Sequence, residues 1–474
     1  MQSDKSLNCE LGMVGLGVMG RNLLLNMADH GHAVAGYDKN QDAVAALQRE
    51  SGELPVYAAG KLKDMIAVLR RPRTVMLLVP AGDIVDQVMK QLLPLLDAGD
   101  LIIDGGNSHF TDTDRRVDEM KQRGVQFIGM GVSGGADGAR HGPSMMPGGS
   151  AEPYTNVQSL FEDVAAKVEG DPCVAFLGPR SAGHYVKMVH NGIEYGVMQL
   201  IAETYDIMRH GLGLGNDEMQ DVFRHWNATG LGSFLIGITA DILGTTDEIT
   251  NKPLIDLIRG EAQQKGTGMW TSQDAMSLHT PTPTIDAAVI ARDVSGLGGL
   301  RSNLNGGDSD APEQFPDASK TWIPRLQQAL QAATILTYAQ GMSLLRTASH
   351  QYDYGLSLEA VSRIWRGGCI IRAAILDDMR SAFQSAPDLP SLMQSEHFAG
   401  ELAKHQGALR TVVAQSVNAR IPVMALSASL AYFDSMHCKR LPANLIQAQR
   451  DYFGSHTYER IDREGTFHTE WKKN

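Results

Sequence analysis

The sequence predicts a chain in two large parts: an α/β domain built on a parallel sheet over residues 1–179, and an all-α domain over 180–440, with a tail at 441–474. Three observations carry this. Short apolar runs alternate with amphipathic stretches through the first part, the pattern of parallel strands joined by helical crossovers. From about Arg180 to Leu441 the apolar residues recur mostly at helical spacing. And 474 residues exceed what one hydrophobic core serves.

Cys9 to Val14 reads as the first strand. It feeds Gly15-Leu16-Gly17-Val18-Met19-Gly20, and a helix follows from Met19 to about His30 with Leu23, Leu24 and Met27 facing inward. G-x-G-x-x-G is weak alone, but between a strand and a helix its glycines let the backbone approach a pyrophosphate at the helix N-terminus. A second strand, Ala33 to Tyr37, ends in Asp38, about 18 residues past the last glycine, where a dinucleotide's adenosine ribose would sit. The first part is therefore Rossmann-like; the plainer alternative is a turn-rich βα connection with a turn aspartate behind it. Further strands are expected at Thr74 to Val79, Leu101 to Asp104, Val125 to Met130 and near Val174 to Leu177, with helices at about Ile84 to Leu93 and Asp112 to Gln122. Ligands of such sheets bind at the carboxyl ends of the strands. Two of those ends carry Asp104-Gly105-Gly106-Asn107-Ser108 and Val132-Ser133-Gly134-Gly135-Ala136-Asp137-Gly138-Ala139. Their glycines let backbone N–H groups point at an anion, and the Asn107 amide can donate and accept. Read singly, each is equally a tight turn.

In the second part, Val186, Val189, Ile193, Val197, Leu200 and Ile201 define one buried helix face. Lys187, His190, Asn191 and Glu194 form a second stripe about a quarter-turn away, on an edge expected to be neither fully buried nor fully wet. Lys187 and Glu194 stand about 10 Å apart along the axis, close enough to serve one bound molecule as base and acid. The bland reading is a solvated charged face. Helical periodicity breaks at Leu243 to Pro253, Lys265 to Thr271, Arg301 to Lys320 and Ala386 to Pro390, and the third break is long enough to suggest a mobile segment or a functional cover. Gly211-Leu212-Gly213-Leu214-Gly215 follows a helix, so it reads as a helix stop. A last helix spans about Pro442 to Phe453, followed by Gly454 and a tail holding His456. Tails are loose unless docked, so an ordered one is expected to lie on an adjacent subunit.

A formal net charge of -12 argues against nucleic acid or an anionic membrane as the main partner, so an anionic ligand would need a local cationic cluster. Cys9, Cys173, Cys369 and Cys438 are too scattered for a disulfide framework or zinc cage, which fits a reducing compartment. The N-terminus is polar and no long apolar run follows, so neither a signal peptide nor a membrane span is expected, and the cytoplasm is the expected location.

Together GLGVMGRNL, IIDGGNS, GVSGGADGARHGPSMMPGG, GHYVKMVHNGIEYG, QKGTG, RGGCIIR and LPANLIQAQRDYFGSHTYE resemble one family essentially end to end, the decarboxylating 6-phosphogluconate dehydrogenases in their long dimeric form. The resemblance implies oxidation of 6-phospho-D-gluconate to ribulose 5-phosphate and CO2 with reduction of NAD or NADP, no metal, and a homodimer whose tail reaches the partner's site. It implies that Lys187 takes the proton of the C3 hydroxyl as hydride leaves C3, and that Glu194 protonates C1 of the enediol left when CO2 departs. It implies contacts to the substrate's carboxylate and hydroxyls from Asn107, Ser133, Gly134, Gly135, His190 and Asn191. Contacts to its phosphate would come from Tyr195, Lys265 and Arg292, with Arg450 and His456 of the partner subunit. The coenzyme would lie against Gly15, Leu16, Gly17, Val18, Met19 and Gly20, against Asp38, Lys39 and Asn40, and against Val79, Pro80, Ala81 and Asn107. Without the resemblance, Lys265 and Arg292 read as surface charges and Arg450 as a cation at a helix C-terminus. The two catalytic roles need a neutral Lys187 and a protonated Glu194, hence environments that move both from ordinary values of about 10.4 and 4.3.

The chain departs from the family pattern at the coenzyme. Asp38-Lys39-Asn40 stands where NADP-using members commonly read Asn-Arg-Ser/Thr. An aspartate accepts from both ribose hydroxyls and repels a 2′-phosphate, with Lys39 a partial offset, so a preference for NAD is expected. Pro80 and Met269 each replace a usual lysine, at the coenzyme edge and in the QKGTG loop. Two other readings compete. A β-hydroxyacid dehydrogenase acting on an unphosphorylated acid would have no use for Lys265, Arg292, Arg450 and His456. A non-catalytic nucleotide-binding protein would have none for Lys187 and Glu194.

Overall fold

The computed structural model describes residues 8–304, 312–316 and 321–471. The chain begins with β1 (Leu11–Val14), α1 (Val18–Asp29), β2 (Val34–Tyr37), α2 (Gln41–Ser51), β3 (Val56–Ala59), α3 (Leu62–Ala67) and β4 (Thr74–Leu77). It continues with α4 (Asp83–Leu92), β5 (Leu101–Asp104), α5 (Phe110–Gln122), β6 (Gln126–Ser133), α6 (Gly135–His141) and β7 (Ser144–Gly149). These seven strands form one sheet in the order β3-β2-β1-β4-β5-β6-β7. Every residue of β1, β4 and β5 is buried, as expected of parallel strands covered on both faces.

Three sequence expectations need correction. The alternation holds one more unit than was read, α2 and β3. The sheet is not wholly parallel, since β7 pairs antiparallel with β6, Ser133 opposite Ser144 and Gly129 opposite Gly148. And Val174 to Leu177 forms no strand: Val174 makes a single bridge to Met145, and the run is an apolar strap along the sheet edge with Val174 and Leu177 buried. The second glycine-rich stretch is likewise less of a loop than expected, because Val132 and Ser133 complete β6 and α6 begins at Gly135.

Two short helices, α7 (Ala151–Thr155) and α8 (Gln158–Val164), and a small hairpin, β8 (Lys167–Val168) with β9 (Asp171–Pro172), lead to α9 (Ala182–Asp206). This 25-residue helix is the axis of the second part. It is followed by α10 (Asn216–Asn227), α11 (Phe234–Leu243), α12 (Thr267–Ser277), α13 (Pro283–Ser295), α14 (Gly298–Leu304) and α15 (Trp322–Gln351), of which α12, α13 and α15 pack on α9. The set is completed by α16 (Leu358–Trp365), α17 (Ile375–Ser385), α18 (Glu396–Asn418) and α19 (Met424–His437). As read, Gly211 to Gly215 ends a helix: a π-turn at Ile207–Gly211 closes α9, and Gly213 is left-handed at φ +69°. The break expected at Lys265 to Thr271 is shorter, since α12 starts at Thr267. Of the long polar loop, residues 305–311 and 317–320 lie outside the described residues; in the fragment between them Phe315 is buried against Trp322. Among the described residues no helix is long and apolar enough to cross a membrane.

What positions the site is the seating of α9 on the sheet. A Cβ at Gly131 on β6 would lie 2.3 Å from Lys187 Cβ, one at Gly129 2.8 Å from His184 Nδ1, and one at Gly148 on β7 2.2 Å from Gly183 N. The bare backbone of β6 and β7 is thus the bed on which the first turns of α9 lie. The chain ends in α20 (Ala443–Gly454) and a hairpin of β10 (Tyr458–Glu459) with β11 (Thr466–Phe467).

Candidate active site

At the carboxyl end of β1 the glycine loop has the form that the sequence predicted. Gly15 is left-handed at φ +100°, and a Cβ on Gly20 would lie 1.9 Å from Gly15 O, so neither position accepts a side chain. Gly17 is different: nothing lies within 4 Å of where its Cβ would be. It precedes α1, whose N-terminus has no side-chain cap and whose first turn has no acidic residue. Open space in front of uncapped N–H groups suits an anion such as a pyrophosphate. Asp38 also shapes the loop: Leu16 N donates to its Oδ2 at 2.7 Å and Asn40 N to its Oδ1 at 2.8 Å. Asn40 caps α2 through Asp42 N. Lys39, Pro80, Ala81 and Asn107 are exposed at this mouth, and Val79 is half-buried.

The Asp104–Ser108 loop is held from beneath by a buried ion pair. Arg116 Nη1 reaches Asp104 Oδ2 at 3.2 Å, both side chains lacking exposed surface, and Ser108 Oγ donates to the same oxygen at 2.6 Å. Arg116 also binds Asp86 and the Gly82 carbonyl, tying the loops after β4 and β5 together.

On α9 the polar stripe is more buried than its composition suggests, which corrects the expectation of a half-wet edge. His190 has no exposed surface, Lys187 is 6% exposed and Asn191 8%; only Glu194 is half-buried. Lys187 Nζ donates to Asn191 Oδ1 at 2.8 Å, and His190 Nδ1 lies 3.0 Å from the same oxygen. Ser133 Oγ stands 3.3 Å from His190 Nε2. A neutral His190 with its proton on Nδ1 satisfies both contacts. Asn191 Nδ2 donates to Thr267 Oγ1 at 3.2 Å, so α12 closes the stripe from the far side. Burial lowers the pKa of Lys187, opposed by Glu194 and Cys369. Burial raises that of Glu194, opposed by Lys187 and Arg292. His190 is pushed well down by burial and by Lys187. The shifts run in the directions that a neutral base and a protonated acid require. Glu194 Oε2 is 3.8 Å from His190 Nδ1, and Arg292 stacks its guanidinium 3.5 Å over the ring of Tyr195.

Residues 10–178 match the NAD binding domain of 6-phosphogluconate dehydrogenase, and residues 183–471 match the C-terminal domain of the same enzyme. The chain is 48% identical to a decarboxylating 6-phosphogluconate dehydrogenase of Synechococcus elongatus, covering 98% of this chain and 99% of the relative. It belongs to the 6-phosphogluconate dehydrogenase family. The NADP(+)-dependent decarboxylating enzyme of Bacillus subtilis is 45% identical, again over 98% of this chain and 99% of its own. A solved Plasmodium falciparum 6-phosphogluconate dehydrogenase, described in apo form, with its cofactor NADP+ and with its substrate 6-phosphogluconate, superposes with a TM-score of 0.94. It is 42% identical and covers 98% of this chain and all of that one.

Ser133, Lys187, His190 and Asn191 form one bonded cluster, with Glu194 beside it and Tyr195 and Arg292 adjoining. Gly134 and Gly135 are both left-handed, and a Cβ on Gly134 would meet Gly368 O at 2.5 Å, so the RGGCIIR turn braces that corner. Lys265 is exposed just before α12. The bonds of Arg450 and His456 lie in the tail: Arg450 Nη1 to Gln447 Oε1, and the His456 ring against Phe453. Sequence reasoning missed Thr267, Gly131 and Cys369. Cys369 is a thiol that burial pushes up to about 12, against the pull of Lys187; it forms part of the dry wall around the amine. The signal for Gly131 was present in the alternation of Gly129 and Gly131 along a strand, the mark of a close backbone approach.

Proposed function

We propose that this protein catalyses the oxidative decarboxylation of 6-phospho-D-gluconate to D-ribulose 5-phosphate and CO2 with reduction of a nicotinamide dinucleotide. The observation that carries the reading is the desolvated Lys187, held by Asn191 on the same helix face as a Glu194 whose carboxyl burial keeps protonated above its usual range. Lys187 accepts the C3 hydroxyl proton. A nicotinamide nucleotide held at the glycine loop would supply the acceptor for the C3 hydride. The resulting ketone at C3 receives the electron pair that the departing carboxylate leaves, and Glu194 gives a proton to the carbon that lost CO2, C1 of the pentulose enediolate, which restores the ketone. Asn107, Ser133, Gly134, Gly135, His190 and Asn191 orient the carboxylate and hydroxyls, while Tyr195, Lys265 and Arg292 receive the phosphate, joined by Arg450 and His456 of the partner subunit. That cationic set supplies the local charge which a chain of net charge -12 otherwise lacks.

The glycine loop fits a dinucleotide, since Gly17 leaves open space before uncapped N–H groups. NAD is the preferred form, because a carboxylate at Asp38, beside the glycine loop through its bond from Leu16 N, would repel a 2′-phosphate. A homodimer with exchanged tails is supported by α20, where Leu445, Ile446, Tyr452 and Phe453 are each more than half exposed, an apolar face that a second copy would take out of water. Four free cysteines support a reducing, cytoplasmic setting. The test is purified protein with 6-phosphogluconate and NAD or NADP in turn, following reduced nicotinamide and released CO2. Equal turnover of gluconate would instead support the unphosphorylated β-hydroxyacid reading. Lys187→Ala is expected to lower kcat by about 10²–10⁴-fold or more with coenzyme binding retained; near-normal turnover would contradict the role of the lysine.

A further inference from the structure

Most of α20 and the hairpin behind it is exposed, yet they close around a single carboxylate with no exposed surface. Asp451 Oδ1 accepts from Thr457 N and His468 Nδ1, both at 2.9 Å. Its Oδ2 accepts from Thr469 N at 3.1 Å and Trp471 Nε1 at 2.8 Å. Burial alone would raise its pKa, but the bonds from His468, Trp471, Thr469 and Thr457 outweigh that and hold it at about 2. The carboxylate is therefore ionised throughout the working range.

One of these donors, Thr457, belongs to the turn that carries His456; the other three come from the segment after β11 and hold that segment to the same carboxylate. Ser455 and Thr457, on either side of His456, both take left-handed backbone at φ 50° and 61°, a conformation that neither residue type favours. Thr457 is held in it by the bond from its N–H to Asp451, and Ser455 by its N–H to the Asp451 carbonyl at 2.9 Å. Gly454 leaves the room that the imidazole occupies, since a Cβ there would lie 2.7 Å from the His456 ring. Gln447 Nε2 donates to the Thr457 carbonyl at 2.6 Å, and Gln447 Oε1 accepts from Arg450 Nη1 at 3.1 Å. Arg450 and His456 thus stand on one frame, linked through Gln447, Thr457 and Asp451.

We propose that Asp451 is a positioning residue for substrate binding: it locks the turn between Arg450 and His456 so that the two reach the substrate's phosphate as a preformed clamp. The proposal rests on the reading of the tail as part of the partner's site, and deepens it. A clamp fixed before binding loses little side-chain freedom on meeting a dianion, which is where the affinity gain lies. Neither Asp451 nor Gln447 need touch the substrate.

The test uses the full-length enzyme. Asp451→Asn keeps one acceptor oxygen and turns an NH2 toward two of the donors. It is expected to raise KM for 6-phosphogluconate by about ten-fold or more, with kcat and coenzyme KM within about two-fold. Turnover of gluconate, which has no phosphate to clamp, should keep its kcat/KM. Trypsin should cut after Arg460 and Arg463 sooner than in the parent protein. Gln447→Ala, which cuts the link to Arg450 and leaves Asp451 intact, should raise the same KM. If Arg450→Ala and His456→Ala raise KM while Asp451→Asn and Gln447→Ala do not, the positioning role is overturned and the phosphate role of the tail stands. Equal losses on gluconate and 6-phosphogluconate also overturn it, because they mark general disorder. If Arg450→Ala and His456→Ala leave KM unmoved, the reading of the tail falls, and the proposal with it.

Discussion

The seating of α9 on bare strand backbone makes Gly131→Ala the sharpest probe of how the fold places the chemistry. The added methyl would lie 2.3 Å from Lys187 Cβ and 2.8 Å from Lys187 Cγ. Carbon atoms in contact need about 3.5–4.0 Å, so roughly 1.2 Å of separation is missing. The helix cannot supply it by tilting, because Gly183, one turn earlier, is pressed on the sheet: a Cβ there would meet Met146 O at 2.2 Å and Gly129 O at 2.4 Å. Nor can the lysine stem swing freely, since Nζ is tied to Asn191 and the side chain is enclosed. Overpacking of this kind costs about 1–3 kcal/mol. The larger effect falls on rate, because moving a catalytic group by about 1 Å costs on the order of 10²-fold. The assays are urea unfolding and saturating kinetics. A lowered midpoint and a kcat down by about 10–100-fold are expected, with coenzyme affinity nearly unchanged, as the glycine loop lies three strands away in the sheet. Parent-like kcat together with a parent-like midpoint would refute the claim that β6 sets the position of Lys187.

Gly17→Ala should do the reverse, leaving the unfolding midpoint in place, since no atom lies within 4 Å of the new methyl, while raising coenzyme KM because the methyl enters the space left for a pyrophosphate. Asp38→Asn should move the kcat/KM ratio toward NADP, but with a loss of affinity for both coenzymes, since an amide can accept only one of the two N–H groups from Leu16 and Asn40; an unchanged ratio would remove Asp38 from coenzyme choice. Glu194→Gln should abolish the alkaline limb of the pH–kcat profile, where the buried acid loses its proton. The acid limb, where Lys187 takes a proton, should stay in place, because Glu194 is already protonated and uncharged there; an alkaline limb left in place would assign it elsewhere.

How far the sequence could be read depended on whether the deciding contacts were local. β1, β4 and β5 were legible because strands buried on both faces are continuous apolar runs. β7 was hidden because SMMPGG contains a proline and two glycines, poor strand residues that are tolerated at a sheet edge, and β7 is the edge. Val174 to Leu177 misled for the opposite reason: it lies along that edge on scattered backbone bonds, such as Leu177 N to Pro147 O, that never form a regular ladder. The apolar face of α9 announced itself through periodicity. The burial of its charged stripe did not, because it is imposed by residues remote in the chain: Gly129 and Gly131 beneath, and Thr267, Gly268 and Thr271 above, where Thr271 lies 2.6 Å from the place of a Gly192 Cβ.

That remoteness bears on the chemistry. An amine beside a carboxylate on a wet helix face would be a charged pair with ordinary titration, and such a pair could neither take a proton from a hydroxyl nor return one to carbon near neutral pH. Lys187 and Glu194 escape that outcome only because glycines on two other elements let the helix sink between sheet and α12 until desolvation outweighs their mutual attraction. The acid and the base are spelled out in one stretch of eight residues, Lys187 to Glu194; the property that makes them an acid and a base is distributed over β6, β7 and α12. A substitution at any of those glycines is therefore a substitution in the proton chemistry, even where no atom of the new side chain could touch the substrate.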